Sequence, residues 1–373
     1  MVNIPKTSIL RRKLNELERT SFACYDVVSS GLSLPEYLIR ALRHNPFVEG
    51  DNEAAQLVGI YKDEIAGGEV IFPLAVADRA KEYPCLSGAA LWVDEAKRKS
   101  NLGMLLPEEM CNCSPCKIAV AGGTSQKALP VYQFLGYECF LMPRYVMLWR
   151  SRSLIETRMC RWLARLCSWV VDGCIAVYAA LIGVVSSIKL KGIEINEISS
   201  DDAEMLGRVA DLIGSDSARF SEVHDERWLR WHLTESFSKN GPLKLFVASK
   251  KDEVIGFYMV KSRFHEQASH RGFKNVWIGS VVEWQTKVGY ESKLCWLMIH
   301  AAIELRAKGM DAVEIPTTDS SLLSFFRHIG WRRVGESNFV IKAGEGSPLY
   351  DNVEMTNIDN WRLRPAMGDA GLS

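Results

Sequence analysis

The chain has 373 residues, of which 47% are hydrophobic and 24% charged. This composition is typical of folded globular proteins, and the length suggests about two domains of roughly 150 residues each. Lys and Arg together number 45, as do Asp and Glu, and no basic stripe is evident, so we predict no nucleic-acid partner.

The first twenty residues and the cysteines predict a cytoplasmic protein. No long apolar run follows the basic residues near the N-terminus, and ten cysteines are scattered at irregular spacing, which is typical of reduced thiols. Cys111, Cys113 and Cys116 form a local cluster. No further Cys/His pair follows at the spacing of a structural zinc site, so we predict no metal.

Residues 34–152 alternate apolar strand-like runs with amphipathic stretches, which predicts a first α/β lobe. The strands are expected at residues 56–61, 70–76, 88–93, 117–121 and 145–149.

Residues 153–192 form a hydrophobic linker that we predict to be helical. Between residues 162 and 187 only Arg165 and Asp172 interrupt the apolar run. Three interpretations stay open: a core helix buried between two lobes, which the sequence favours; a helix in peripheral contact with a membrane surface; and a transmembrane span. Contact with a membrane would make the cytoplasmic protein membrane-associated.

Residues 193–345 repeat the order of the first segment and predict a second lobe, followed by a C-terminal tail at 346–373. Strands are expected at 193–198, 244–249, 254–260, 276–284 and 312–315, with helices near 292–308 and 320–328. Both halves end a helix with a glycine and an aromatic residue, Gly136-Tyr137 and Gly330-Trp331. The fold class is therefore α/β, with a mixed sheet in two similar lobes.

The loop after residues 88–93 predicts an anion site in the first lobe. Arg98 and Lys99 precede a helix that begins around Gly103, and the N-terminus of a helix presents free backbone N–H groups at the positive end of its dipole. Asn101 and Gly103 are suited to a backbone that bends around a phosphate.

This segment resembles the core of the GNAT acyl-CoA N-acyltransferase superfamily. Leu91 and Val93 match the strand, Arg98 the first loop position and Gly103 the last, without a gap, while Asn101 replaces the usual middle glycine. The resemblance implies that acetyl-CoA, or another acyl-CoA, is the co-substrate. Its binding residues would be Leu91, Val93, Arg98, Lys99, Ser100, Asn101, Leu102, Gly103 and Met104.

The segment from Ala128 to Tyr137 is similar to a later motif of the same superfamily. The resemblance implies that Tyr132 is the catalytic residue, a general acid that protonates the leaving thiolate. From the residues alone, a tyrosine that packs a helix onto the sheet is an equally good interpretation. Pro107 departs from the pattern, and we expect it to kink or shorten the helix.

The second lobe lacks the loop pattern. Alignment on Val282 places Lys287, Tyr290 and Ser292 where Arg98, Asn101 and Gly103 stand, and Phe326 where Tyr132 stands. We therefore expect this lobe to shape the acceptor site or to be structural. Paired lobes of this kind also resemble FemAB-like transferases. The tail at residues 361–369 is similar to that of two-lobed transferases from bacterial surface-polysaccharide loci.

Two further features leave alternatives open. The segment from His224 to His232 could line an acceptor pocket, but a solvated helix face with Trp228 and Trp231 packed inward is favoured. Glu283 could be a buried base or a carboxylate at a strand end.

The function predicted from the sequence is transfer of an acyl group from acyl-CoA to an amine, on a small molecule, a sugar or a peptide. Two alternatives are a non-catalytic GNAT-like binding module and a FemAB-like aminoacyl transferase.

Overall fold

The computed structural model describes residues 7–17, 34, 36–48, 50, 53–79, 81–156, 160–235, 241–265 and 275–366. Residues 157–159 of the predicted linker and 367–373 of the predicted tail lie outside the described residues.

The described residues form thirteen strands and nine α-helices. The strands are β1 (Thr7–Lys13), β2 (Ala54–Tyr61), β3 (Glu64–Asp78), β4 (Lys81–Val93), β5 (Ile118–Gly122), β6 (Glu138–Leu148), β7 (Glu194–Ile198), β8 (Phe220–Glu222), β9 (Lys244–Lys250), β10 (Glu253–His265), β11 (Val276–Thr286), β12 (Ala312–Pro316) and β13 (Arg332–Ala343). The helices are α1 (Glu36–Arg43), α2 (Leu102–Cys113), α3 (Leu129–Phe134), α4 (Arg152–Glu156), α5 (Arg161–Lys189), α6 (Ala203–Gly214), α7 (Glu226–Thr234), α8 (Glu291–Ala307) and α9 (Ser320–His328).

The strands form one mixed sheet that contains the same unit twice. Its order is β1-β2-β3-β4-β5-β13-β6-β12-β11-β10-β9-β7, with β8 beside β3. In each half an antiparallel meander leads to a parallel pair, β4–β5 in the first half and β11–β12 in the second. The α/β fold with two similar lobes, predicted from the sequence, is therefore present.

The two halves exchange their last strands at the centre of the sheet. β13 comes from the second segment but pairs with β5 of the first, with Phe339 opposite Gly122. β6 comes from the first segment but pairs with β12, with Tyr145 opposite Ile315. Each half of the sheet is thus completed by the other, and the segment bounds 34–152 and 193–345 stay a prediction about the sequence.

The two faces of the sheet carry different cores. On one face a single cluster joins both halves and includes Trp361 and Leu363 near the C-terminus, so the predicted tail is part of the core. The other face has two separate clusters, one around α2 and α3 and one around α5, α8 and α9.

The favoured interpretation of the linker as a buried helix between the lobes is wrong. α5 is a single helix of 29 residues, but only 17% of its most apolar 18-residue stretch is buried. It packs beside α8 and α4, so one side of the helix contacts the rest of the protein. The rest of its apolar surface faces outward.

Candidate functional site

The parallel strands β4 and β5 separate soon after they meet. They pair only at Leu86–Ala119 and Ser87–Val120, although β4 continues to Val93 alongside β3. Ala90 has a φ of 53° and lies where the β3–β4 register shifts between Gly68 and Val70, which indicates a bulge. Beyond Ser87, therefore, one edge of β4 has no strand partner in the described part of the chain, and an extended ligand can pair with it.

A left-handed residue links the end of β4 to helix α2. A 3₁₀ turn, Glu95–Ser100, follows Asp94, whose side chain accepts a hydrogen bond from the N–H of Ala96. Asn101 then adopts a φ of 62° and is the N-cap of α2. Asn tolerates this conformation better than other residues with a side chain, which explains why it can replace a glycine here.

The first turn of α2 has backbone N–H groups without partners in the described part of the chain. Its first turn contains no acidic residue, and Asn101 makes no side-chain capping bond. The backbone N–H groups of Leu102 and Gly103 have no hydrogen-bond partner among the described residues. A Cβ on Gly103 would come no closer than 3.9 Å to Val93, so there is open space beside Gly103, whereas Leu102 is buried.

Basic side chains surround this helix start. Arg98 pairs with Glu95 at 3.0 Å, and both side chains are largely exposed; Lys99 is exposed as well. An exposed ion pair contributes about 0–1 kcal/mol, so Arg98 can exchange Glu95 for a phosphate at little cost. Lys97 is held by Glu64.

The other residues predicted to bind the cofactor hold the loop in place. Leu102 is buried and fills the space above Gly59. Ser100 is buried too, and its carbonyl accepts a hydrogen bond from Thr7 at 3.4 Å. Leu91 and Val93 pack against the α2 cluster, and Met104 is half-buried. Their roles at a cofactor site remain a prediction.

Tyr132 lies on the buried side of α3. Its side chain is buried and makes an edge-on contact with Tyr137, with ring centroids 4.9 Å apart. The hydroxyl of Tyr137 donates a hydrogen bond to the carbonyl of Pro107 at 2.6 Å. Packing of α3 therefore accounts for the position of Tyr132, and its role as a general acid stays a prediction.

Pro107 does not shorten α2. The helix continues through it to Cys113. The residue four positions earlier, whose carbonyl a proline ring crowds, is Gly103, at the helix start where there is room to adjust.

In the second lobe the parallel strands β11 and β12 also separate, but the loop that leads from β11 to α8 is different. β11 and β12 pair only from Ile278 to Ser280, and β11 continues to Thr286. Four residues, 287–290, then lead to α8, compared with eight between β4 and α2. Tyr290 is the N-cap of α8, as Asn101 is of α2, but the 3₁₀ turn that carries Arg98 has no counterpart.

An acidic side chain occupies the start of α8. The carboxylate of Glu291 accepts a hydrogen bond from the N–H of Gly289 at 2.9 Å. Hydrogen bonds from the backbone N–H groups of Gly289 and of Glu291 itself lower the pKa of the Glu291 carboxyl. The start of α8 therefore already carries a negative charge. An incoming phosphate would meet this negative charge, which the first turn of α2 does not carry.

The C-terminal segment fills the opening beside β11. The N–H of Ala366 donates to the carbonyl of Val282 at 2.8 Å, and Nε of Arg364 donates to the carbonyl of Trp284 at 3.2 Å. Backbone groups that are open on β4 are therefore bound by the protein itself on β11.

Glu283 belongs to a buried charge network. Its carboxylate accepts hydrogen bonds from Arg362 at 2.5 Å and from Nδ1 of His224 at 2.7 Å. Burial alone would raise the pKa of Glu283, but Arg362 and His224 hold it at about 2. A carboxylate with so low a pKa is a poor base at neutral pH, so the network stabilises the C-terminal segment instead.

Helix α7 has the expected solvated face, on which Arg227 and Arg230 are exposed, but the two histidines of the segment lie on its buried side. Trp228 is buried between His224 and His232, with ring centroids 3.7 Å and 3.9 Å away, and both histidines are buried. The expected inward packing of Trp228 and Trp231 is confirmed.

A polar cleft of about 120 Å³ lies where the two halves of the sheet meet. Residues from both halves line it, including Gly123 and Thr124 just after β5, and Arg144, Lys261, Arg263, Ser280 and Glu314 on the central strands.

The charged centre of this cleft is Glu314. Its buried carboxylate pairs with Arg144 and with Arg263, each at 3.2 Å, and accepts a hydrogen bond from Ser280 at 2.7 Å. Burial opposes ionisation of Glu314, but the two arginines lower its pKa overall. Two arginines share one carboxylate, so the cleft has a positive balance at this point.

The three clustered cysteines do not converge on one point. The thiol of Cys111 donates to the carbonyl of Lys117, and that of Cys113 to the carbonyl of Met110. Cys116 packs on the opposite face of the sheet. In the described ranges no group of three His, Cys, Asp or Glu side chains could hold a metal ion.

Comparison with known proteins gives matches in fold only. No protein-family profile matches the chain, and no curated protein matches it in sequence. Among solved structures, Saccharomyces cerevisiae N-myristoyltransferase with bound myristoyl-CoA is similar, with 11% identity, 90% of this chain and 78% of that chain covered, and a TM-score of 0.56.

Two bacterial structures are also similar. A GCN5-related N-acetyltransferase from Anabaena variabilis has 10% identity, covers 91% of this chain and 73% of its own, and has a TM-score of 0.51. A probable N-acyltransferase from Enterococcus faecalis has 10% identity, the same two coverages and a TM-score of 0.53.

The split parallel strands, the bulged β4 and the helix start behind it belong to a unit that this α/β protein contains twice. Because the matches cover about 90% of the chain, the protein has the GNAT acyltransferase fold. At this level of identity the likeness extends to the fold alone. The FemAB-like resemblance stays a prediction.

Proposed function

We propose that the protein is an acyl-CoA-dependent acyltransferase whose first lobe alone binds the acyl-CoA. The contrast between the two helix starts carries this proposal. α2 offers the free N–H group of Gly103 beside Arg98, whereas the start of α8 carries the carboxylate of Glu291. In the same way the edge of β4 is free to pair with an extended pantetheine arm, whereas β11 is covered by the C-terminal segment.

In the proposed reaction an acceptor amine attacks the thioester carbonyl. The new C–N bond forms as the C–S bond breaks, the amine releases a proton, and the departing thiolate takes one up. Tyr132 is the residue that we propose as the donor, because it stands at the tyrosine of the motif that residues 128–137 resemble. Transfer of a proton from a phenol of reference pKa near 10 to a thiolate of pKa near 8.5 is uphill by only about 2 kcal/mol.

This role is tested with Tyr132→Phe, which keeps the ring that packs on Tyr137. Loss of a general acid should lower kcat by a factor of about 10²–10⁴ without lowering the thermal stability or the affinity for acyl-CoA. Unchanged kcat would leave Tyr132 as a core residue only.

We propose that the amine acceptor binds in the central cleft. Gly123 and Thr124, which line it, directly follow β5, one of the two strands that bound the acyl-CoA opening. The charged lining around Arg144, Arg263 and Glu314 suits the hydroxyl and carbonyl groups of a sugar or a peptide better than an apolar molecule. Its positive balance favours the acceptor amine in its neutral form, which is the nucleophile. The surface-polysaccharide setting stays a prediction from the tail motif.

Ligand-dependent thermal stability tests the first part of the proposal. A ligand that binds only the folded chain stabilises it by RT ln(1 + [L]/Kd), about 2.7 kcal/mol at 100 times Kd. We expect acetyl-CoA, longer acyl-CoAs or both to raise the Tm, and free CoA to raise it as well, because the pyrophosphate is the part that α2 binds. A Tm unaffected by all of these at millimolar concentration would contradict the proposal and favour a non-catalytic module.

A further inference from the structure

One side of helix α5 is an exposed apolar face, defined by Trp162, Leu166, Trp169, Val177, Leu181 and Ile188. The exposed fractions of Trp162 and Trp169 are 69% and 78%. At 1.5 Å per residue the face is about 40 Å long. Soluble monomers rarely expose a continuous apolar surface of this size, and such surfaces usually contact a partner or a membrane.

The opposite side of α5 is fixed to the second lobe. The hydroxyl of Tyr178 donates to the carbonyl of Ile329 at 2.8 Å, and that of Ser186 donates to the carbonyl of Trp296 at 3.3 Å. Ala179 and Ile182 are buried between these contacts. Although α5 is long and apolar enough to cross a bilayer, spanning would require these contacts to break, so the helix can enter a membrane only with its exposed side.

The charges on α5 favour an anionic surface. Arg165, Lys189 and Lys191 are exposed at or near the two ends of the apolar face. The helix has one acidic residue, Asp172, and its carboxylate accepts hydrogen bonds from the N–H and the hydroxyl of Ser151 at 2.7 and 2.8 Å. The exposed surface of the helix thus combines an apolar centre with cationic ends.

The same charges argue against a second copy of the chain as the partner. In an antiparallel pair of α5 helices, Arg165 of one copy would approach Lys189 of the other, and in a parallel pair each cation would face its own equivalent. The exposed side of the helix offers no carboxylate to balance them. Anionic lipid headgroups supply that balance, and tryptophans favour the boundary between headgroups and acyl chains.

We propose that α5 is a peripheral membrane anchor that lies in the plane of an anionic bilayer with its apolar face among the acyl chains. This proposal stands on α5 alone and does not depend on the acyltransferase activity.

The test is co-sedimentation of the full chain with vesicles. Vesicles containing phosphatidylglycerol should bind the protein, and pure phosphatidylcholine vesicles should bind it more weakly. The double variant Trp169→Asp, Leu181→Asp should reduce binding at least tenfold and keep its circular dichroism spectrum and Tm, because both side chains are exposed. Val353→Asp is the matched control, since Val353 is 78% exposed in the 3₁₀ turn Val353–Thr356, outside α5, and it should bind like the wild type.

Three results would overturn the proposal. One is the absence of binding to either vesicle, and another is equal binding by the double variant. The third is a dimer in ultracentrifugation that the double variant abolishes, which would assign the face to a second copy. Alkaline carbonate should release the bound protein, whereas a spanning helix would stay with the vesicles.

Discussion

At the scale of single residues, Asn101 is the point on which the loop geometry depends. Its φ of 62° is costly for side chains other than Asn, Asp or Gly. Asn101→Gly should therefore keep the fold and the affinity for acyl-CoA, whereas Asn101→Val should destabilise the chain by about 1–2 kcal/mol and weaken acyl-CoA binding. Urea unfolding and calorimetry measure both effects. If the two variants behave alike, the backbone conformation does not matter for binding.

His232 predicts how stability depends on pH. Burial above all, together with His224 and Lys261, lowers its pKa to about 3 against the opposing effects of the Trp228 carbonyl and Glu283. The unfolded chain binds a proton near pH 6.5 and the folded chain does not, so this residue removes stability as the pH falls from about 6.5 towards 3. The slope is about 1.4 kcal/mol per pH unit.

His232→Phe keeps a ring against Trp228 and removes the titrating group. Its stability should fall less steeply than that of the wild type between pH 6.5 and about 4, as measured by chemical denaturation at a series of pH values. The pKa of His224 is raised by Glu283 and Glu222 despite burial, so its contribution has the opposite sign and is lost as the pH rises above its folded pKa. Parallel curves for the two proteins would contradict the role of His232.

At the scale of elements, the C-terminal segment is held by its charges as much as by packing. Arg362 pairs with the buried Glu283. Arg362→Ala leaves that carboxylate buried with one partner fewer, which should cost about 3 kcal/mol. Lys244→Ala removes an exposed pair with Glu197 at 2.7 Å and should cost less than about 1 kcal/mol. Similar losses of unfolding free energy in the two variants would show that the network contributes little.

Local patterns were sufficient to predict the end of β4 at residues 88–93, its loop and the start of α2, because strand alternation, an αL-tolerant residue and a helix start are all encoded in neighbouring residues. They missed the first part of β4, which begins at Lys81. Local patterns did not predict the exposure of α5. An apolar helix has the same sequence pattern whether both of its sides pack against protein or one of them is exposed. Local patterns also missed β1, whose pairing partner β2 is more than forty residues away. Glu283 stayed undecided because its partner Arg362 is 79 residues distant.

At the scale of the whole molecule, the two halves of the sheet repeat the same arrangement of strands but differ at the opening between the parallel strands. The exchange of β6 and β13 makes one continuous sheet, so neither half is complete without the other. The sequence repeat predicted two lobes, but a strand exchange depends on pairings between residues almost 200 positions apart, such as Val146 with Arg332. One half keeps its opening, and the other closes the equivalent opening with its own chain.

The most direct test of this asymmetry is calorimetric titration of acetyl-CoA, or of the acyl-CoA that gives the largest thermal shift, into the wild type and two matched variants. Gly103→Glu and Ser292→Glu place the same carboxylate at the second residue of α2 and α8. We predict one acyl-CoA per chain, loss of binding in Gly103→Glu and wild-type affinity in Ser292→Glu. Unchanged affinity in Gly103→Glu, or loss in Ser292→Glu, would contradict the account.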